Sequence, residues 1–204
     1  MFDFGKGVTE DNAQAVYWYK KSAEKGNASA QYALGWMYEN GEGLKSNYSQ
    51  AFFWYLKAAK KDHPAAQTNL GWMYENGKGI EIDNQKAVYW YKKAAEQGDT
   101  NAQLKLGIIY KNGSDTAEDY TQSFYWYKKV AEQGDAVAQL NIGIMYEYGK
   151  GVSEDYSQAA FWYKKSAEQG NSEAQANLGW FYLHGKGVGL DYLKAIEWYK
   201  KSAE

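Results

Sequence analysis

The chain contains no cysteine, no arginine and a single proline among its 204 residues. Without cysteine there is no disulfide, thiolate metal site or cysteine nucleophile. The compartment therefore stays open: cytoplasmic or, if a leader has been removed, periplasmic or secreted. Without arginine, bidentate recognition of phosphate, carboxylate or guanine is lost. A net charge of −2 gives no surplus of cations to displace phosphate counterions, which argues against a nucleic-acid binder. No apolar run approaches the roughly 20 residues of a membrane span. The opening Met1-Phe2-Asp3-Phe4-Gly5 lacks the basic start and apolar stretch of a signal peptide.

Aromatic residues and glycine are abundant instead, with 20 tyrosines, nine tryptophans and 21 glycines, and they recur in phase. Gly35, Gly71, Gly107, Gly143 and Gly179 each follow Leu or Ile at intervals of 36 residues. Trp18, Trp54, Trp90, Trp126, Trp162 and Trp198 keep the same interval, and a tyrosine follows every one. Such a period marks a repeat architecture.

Each unit reads as two helices with their punctuation. Helix A opens at Asn27, His63, Asp99, Asp135 or Asn171, residues suited to accept first-turn N–H groups, and Pro64 fits the first helical position. It stops at Gly41, Gly77, Gly113, Gly149 or Gly185. A loop of the form Gly-x-Gly-aliphatic follows. Helix B opens at Asp11, Asn47, Asp83, Asp119, Asp155 or Asp191 and closes at Gly26, Gly98, Gly134 and Gly170, with Asp62 the exception.

Helix A places Ala30, Leu34, Met37 and Tyr38 on one stripe; helix B does the same with Ala51, Trp54, Tyr55, Ala58 and Ala59. A glycine inside helix A costs about 1 kcal/mol relative to alanine, so five in a row imply close approach of a neighbouring helix. One pair cannot bury its stripes alone, and adjacent pairs must stack. The expected fold is all-α: a right-handed α-α superhelix, or solenoid, of 36-residue helix-turn-helix repeats. Its expected divisions are a partial repeat at 1–26, holding helix B only, then repeats at 27–62, 63–98, 99–134, 135–170 and 171–204, all in one solenoid domain.

The combined pattern Ala-Gln-x-x-Leu-Gly-x-x-Tyr, Gly-x-Gly-Val-x-x-Asp and Ala-x-x-Trp-Tyr-Lys-Lys-Ala-Ala-Glu-Gln-Gly resembles the Sel1-like repeat, a relative of the tetratricopeptide repeat. It stands almost whole in Ala66 to Gly98 and in Ala138 to Gly170. The resemblance implies a helical adaptor of the kind found in bacteria and eukaryotes, assembling complexes or taking part in secretion and host interaction. Cysteine-rich bacterial members are associated with penicillin binding; this chain lacks the cysteines, so that activity is not carried over. The third full repeat departs from the pattern: Asp115 replaces the second loop glycine, Thr116 the aliphatic residue, Ser123 an alanine and Val130 an Ala or Ser.

Little else carries chemistry. His63 stands at an N-cap and His184 before a helix-ending glycine, more than three repeats apart, so no metal site is expected. Gly-Lys-Gly-Val lacks both the preceding strand and the spacing of a phosphate loop. The Lys-Lys pairs at 20–21, 92–93, 128–129, 164–165 and 200–201 lie in last helical turns, where they complement the helix dipole. No catalytic constellation stands outside the scaffold, and neither an enzyme nor a cofactor is expected.

Specificity is sought where the repeats differ, on a second sector of helix A. In the tetratricopeptide family this sector lines the concave groove. The candidate partner-binding residues are Tyr32, Trp36, Asn69, Trp72, Leu104, Lys105, Ile108, Lys111, Leu140, Asn141, Ile144, Tyr148, Asn177 and Trp180. Large apolar side chains held in a row suggest anchors, and the asparagines could pair with a peptide backbone. Position 36 of each repeat either lines that groove or packs against the next repeat. Asn40, Asn76 and Asn112 are at home near a helix C-terminus.

The expected function is a non-enzymatic adaptor binding a peptide or protein segment. A dedicated inhibitor or immunity-type protein that wraps one enzyme is the alternative; a cell-wall-related enzyme is a third reading. The exposed apolar residues Val16, Trp18 and Tyr19, together with uncapped ends, point to a fragment of a longer repeat protein or to end-to-end self-association.

Overall fold

The computed structural model describes residues 12–113 and 119–204. The expected cap Asp11 and the Asp115-Thr116 turn lie outside the described residues. Among the described residues every regular element is an α-helix, eleven in all. The chain forms two compact units that divide between Ala102 and Gln103. The first holds α1 (Asn12–Glu24), α2 (Ala28–Asn40), α3 (Tyr48–Ala59), α4 (Pro64–Asn76) and α5 (Asn84–Glu96). The second holds all but the first turn of α6 (Thr100–Asn112), then α7 (Tyr120–Glu132), α8 (Ala136–Tyr148), α9 (Tyr156–Ala167), α10 (Ser172–His184) and α11 (Tyr192–Ala203).

The helix starts follow from single side chains. Asn27 Oδ1 accepts the Ala30 N–H at 2.9 Å, Asp99 that of Ala102 at 2.9 Å and Asn171 that of Ala174 at 2.9 Å. His63 does the same through Nδ1, at 3.3 Å from the Ala66 nitrogen, with Pro64 as the first helical residue. Helix B is capped likewise by Asn47, Asp83, Asp119, Asp155 and Asp191. Each such cap contributes about 1 kcal/mol.

The loop glycines serve two ends. The first, as at Gly77 with φ of 64°, adopts the left-handed conformation that ends the helix. The second lies against the start of the preceding helix B: a Cβ on Gly79 would overlap the Tyr48 carbonyl, and one on Gly187 would overlap that of Tyr156. The lysine between them folds back over a ring, as Lys78 does over Tyr48 at 5.3 Å and Lys186 over Tyr156 at 4.5 Å. That packing accounts for Gly-Lys-Gly without any phosphate.

Both stripes form cores. Ala30, Leu34, Met37, Ala51, Trp54, Tyr55, Ala58 and Ala59 are buried, and Tyr38 is partly so. In the second unit one cluster joins Tyr127, Val130, Ile142, Met145 and Trp162, and another joins Tyr163, Leu178 and Phe181. The close approach at the helix A glycines is a ring: Tyr55 lies over Gly35, Tyr91 over Gly71, Tyr127 over Gly107, Tyr163 over Gly143 and Tyr199 over Gly179. Of the three α1 residues expected to be exposed, Trp18 is so, at 52%, whereas Val16 and Tyr19 pack against Ala23, Ala30, Leu34 and Trp54.

Glutamines stitch neighbouring repeats together. Gln31, Gln67, Gln139 and Gln175 are buried, and each donates from Nε2 to the alanine carbonyl eight residues earlier, at 3.0 to 3.2 Å. Each thereby adds a second donor to a carbonyl at the end of the preceding helix B that already accepts the backbone N–H three residues on. Gln97 then donates to Gln67 at 2.7 Å, Gln133 to Gln103 at 3.2 Å and Gln169 to Gln139 at 2.8 Å.

Candidate functional site

Helix A buries its Ala-Gln-Leu-Gly-Met side, and this fixes where the remaining side chains point. In the first unit Trp36 is 39% exposed and Trp72 partly buried. In the second, Ile108 is 44% exposed and Trp180 39%, while Ile144 packs against the cluster of Tyr163 and Phe181. Position 36 is thus exposed in some repeats and packed against the core in another. Tyr148 is largely exposed; Leu104 and Lys105 are half-buried, and Leu104 rests against the Tyr127 cluster.

Leu140 corrects the expectation. It is 6% exposed and sits in the core beside Ala160, Tyr163 and Phe181, so it is a packing residue and not a groove anchor. Lys111 and Asn141 are brought together: Lys111 Nζ donates to Asn141 Oδ1 at 2.9 Å, and Asn141 Nδ2 donates to the Val137 carbonyl at 2.9 Å. Asn40 and Asn76 bond back to the carbonyls of Trp36 and Trp72, each at 2.9 Å, and so serve their own helix ends. His184 does likewise toward Trp180 and stacks on its ring at 4.3 Å.

The sequence reading missed a row of carboxylates. Tyr55 donates its hydroxyl to Glu39 at 2.6 Å and Tyr91 donates to Glu75 at 2.6 Å; Tyr163 donates to Glu147. Burial, then the adjacent carboxylate, pushes all three phenols far above the usual tyrosine range. They remain protonated donors. For Tyr127 the corresponding position is Lys111 in place of a glutamate, and burial raises its phenol to about 12. The signal was present as Glu39, Glu75 and Glu147 standing in phase wherever this pairing occurs. In the first unit Tyr32 completes the arrangement, stacked on His63 at 4.7 Å and tilted against Tyr55 at 5.7 Å. Burial is the first cause raising the Tyr32 phenol, followed by Glu39; the Asn69 amide works the other way on both phenols.

Helix B carries exposed aromatic residues in each unit. Phe53, Tyr125 and Phe161 are exposed and meet the following tryptophan edge-on, at 4.8 to 5.2 Å. Lys57, Lys129 and Lys165 lie over them at 4.4 to 5.0 Å. These lysines cover ring faces as well as complementing the helix dipole.

The Sel1 repeat, as a sequence family, matches residues 1–27, 28–63, 64–99, 100–135, 136–171 and 172–204. The chain belongs to the Sel1 repeat family. Its fold is the all-α solenoid of that family. It is similar to c5321, a protective antigen present in uropathogenic Escherichia coli strains, at 42% identity over 98% of the chain with a TM-score of 0.94. The chain spans 43% of that protein's length. It also resembles a Sel1 repeat protein from Oxalobacter formigenes, at 37% identity and a TM-score of 0.83, covering 93% of this chain and 81% of that one. A third likeness, to a Sel1 repeat protein from Klebsiella pneumoniae, has 24% identity, a TM-score of 0.50 and coverage of 92% of this chain and 91% of that one, and concerns the fold alone. Comparison with curated proteins gives no match. Sel1 repeats typically mediate protein–protein interaction on a scaffold that is generally non-enzymatic. Among the described residues no helix is long and apolar enough to cross a membrane.

Proposed function

We propose that this Sel1 chain is a non-enzymatic adaptor that holds a peptide or protein segment on the outward side of helix A. The observation that carries the reading is the partial exposure of Trp36, Ile108 and Trp180 on helices otherwise committed to the core. Large side chains held rigidly and half in water lose little entropy on binding, which is the profile of an interface anchor. In the first unit the binding residues are Tyr32, Trp36, Asn69 and Trp72. In the second they are Leu104, Lys105, Ile108, Ile144, Tyr148, Asn177 and Trp180, with Lys111 and Asn141 as a paired rim.

Selection of peptides from a random library against the immobilised chain tests this. Peptides that bind the parent chain should lose affinity for Trp36→Ala or Trp180→Ala while helicity is retained. Selected peptides that bind all variants equally, or no enrichment at all, would remove the reading. End-to-end association rests on a separate face: α11 exposes Leu193 at 81% and Ile196 at 52%. Light scattering across a concentration series reads it directly, and a mass that stays at the monomer value argues against it.

A further inference from the structure

The second unit holds an open depression of about 510 Å³ whose walls come from α8, the start of α9, α10 and the loops that follow α8 and α10. Its lining includes Glu147, Tyr148, Glu154, Asn177, Trp180 and Lys186. Glu147 is held in place because one of its oxygens, Oε2, accepts the buried Tyr163 hydroxyl. A carboxylate has about four acceptor positions, so most of its capacity remains for a ligand. Its charge reaches into the depression: Glu147 is the first cause raising the phenol of Tyr148 above the usual range.

The resident charges do not cancel. Glu147 and Glu154 face one cation, Lys186, and that ammonium is already seated over the Tyr156 ring at 4.5 Å. Trp180 is braced by the stacked His184 ring, which fixes a flat apolar wall beside the carboxylate. Among the described residues the Asn177 side chain makes no hydrogen bond. Where the first unit has Tyr32 stacked on His63, the second has Leu140 in the core.

We propose that this depression is a subsite for a lysine or arginine side chain of the bound segment. Glu147 pairs with the cationic head, Trp180 and Tyr148 flank the alkyl stem, and the Asn177 amide meets the adjacent peptide bond. A carboxylate beside aromatic rings favours a cation through both charge pairing and the ring faces. This rests on the helix A face being the binding surface, and names what one part of it selects.

The probes are the Nα-acetyl N-methylamides of lysine, arginine, norleucine and glutamate, titrated into the full chain. The indole N–H of Trp180, assigned with Trp180→Phe, and the Asn177 side-chain amide report binding by NMR. The lysine and arginine probes should shift both signals, less so at high salt, while norleucine and glutamate leave them unmoved. Glu147→Gln keeps an acceptor for Tyr163, so its melting curve should match the parent's while lysine affinity falls about fivefold. An equal response to norleucine, an unchanged affinity in Glu147→Gln, or no response to any probe would overturn the subsite. Library peptides that depend on Trp180 but show no lysine or arginine preference would overturn it while leaving the wider reading standing.

Discussion

Gly143 and Tyr163 are in direct contact: a Cβ placed on this glycine would lie 2.6 Å from Cδ1 of the tyrosine ring. The same clearance is 2.6 Å at Gly35, 2.8 Å at Gly71, 3.0 Å at Gly107 and 3.2 Å at Gly179. The series sets two effects against each other. Alanine favours the helix by about 1 kcal/mol, whereas forcing a ring out of a packed site costs about 1–3 kcal/mol. Gly143→Ala should therefore lower the melting temperature, and Gly179→Ala should leave it unchanged or raise it. Leucine at Gly107, too large for any small shift to absorb, should destabilise strongly. Equal melting temperatures for Gly143→Ala and Gly179→Ala would show that ring contact does not govern the glycine row.

The tyrosine hydroxyls separate in the same way. Tyr91→Phe removes a donor from Glu75, a charged acceptor 2.6 Å away. Tyr127 has Lys111 in the corresponding place and gives up no such bond. Hydrogen bonds to charged groups contribute about 1.5–3 kcal/mol, so Tyr91→Phe should shift the urea midpoint clearly and Tyr127→Phe only slightly. If Tyr127→Phe is the more damaging of the two, the Tyr–Glu bonds do not contribute as argued.

What was legible in the sequence was whatever one residue decides locally. The caps at Asn27, His63 and Asp83, the helix-ending glycines and the two stripes follow from side-chain chemistry and period alone. What needed the structure was any choice between neighbours. Leu140 lies on the varying sector of its helical wheel, and a wheel drawn for one helix does not show that another repeat covers that sector. The glutamine of Ala-Gln gains its role only where the preceding helix ends against it. The Tyr–Glu pairs join residues 16 apart on two helices, a distance that neither helical periodicity nor capping rules connect.

The glutamine ladder has one faulty rung. At the position held by Gln97, Gln133 and Gln169 in later repeats, the first full repeat has Lys61, which donates to the Gly26 carbonyl. Gln31 Oε1 is consequently buried without a partner. Gln169 shows that glutamine there reaches both targets, donating to the Gly134 carbonyl at 2.9 Å and to Gln139 at 2.8 Å. Lys61→Gln should therefore stabilise the chain by about 1 kcal/mol, the usual net value of one hydrogen bond. A rise in melting temperature checks it. A fall would mean that the lysine contributes more through its charge at the helix end than the ladder gains.

His63 makes the first unit sensitive to mild acid. Its Nδ1 accepts the Ala66 N–H, and its ring stacks on Tyr32. Burial lowers its pKa below the ordinary histidine value of 6.5. The neutral ring is thus the folded form, and a protonated Nδ1 could no longer accept the cap bond. By linkage, this contribution is complete above the unfolded-state pKa of about 6.5 and declines as pH falls through the folded value. Asparagine caps the equivalent helices at Asn27 and Asn171 without titrating there. The drop in melting temperature between about pH 7 and about pH 5 should be smaller in His63→Asn than in the parent chain. The variant loses the ring stack and starts from a lower stability, so the slope and not the absolute value is the measure. Parallel slopes would place the acid sensitivity in the carboxylates common to both chains, and remove His63 from it.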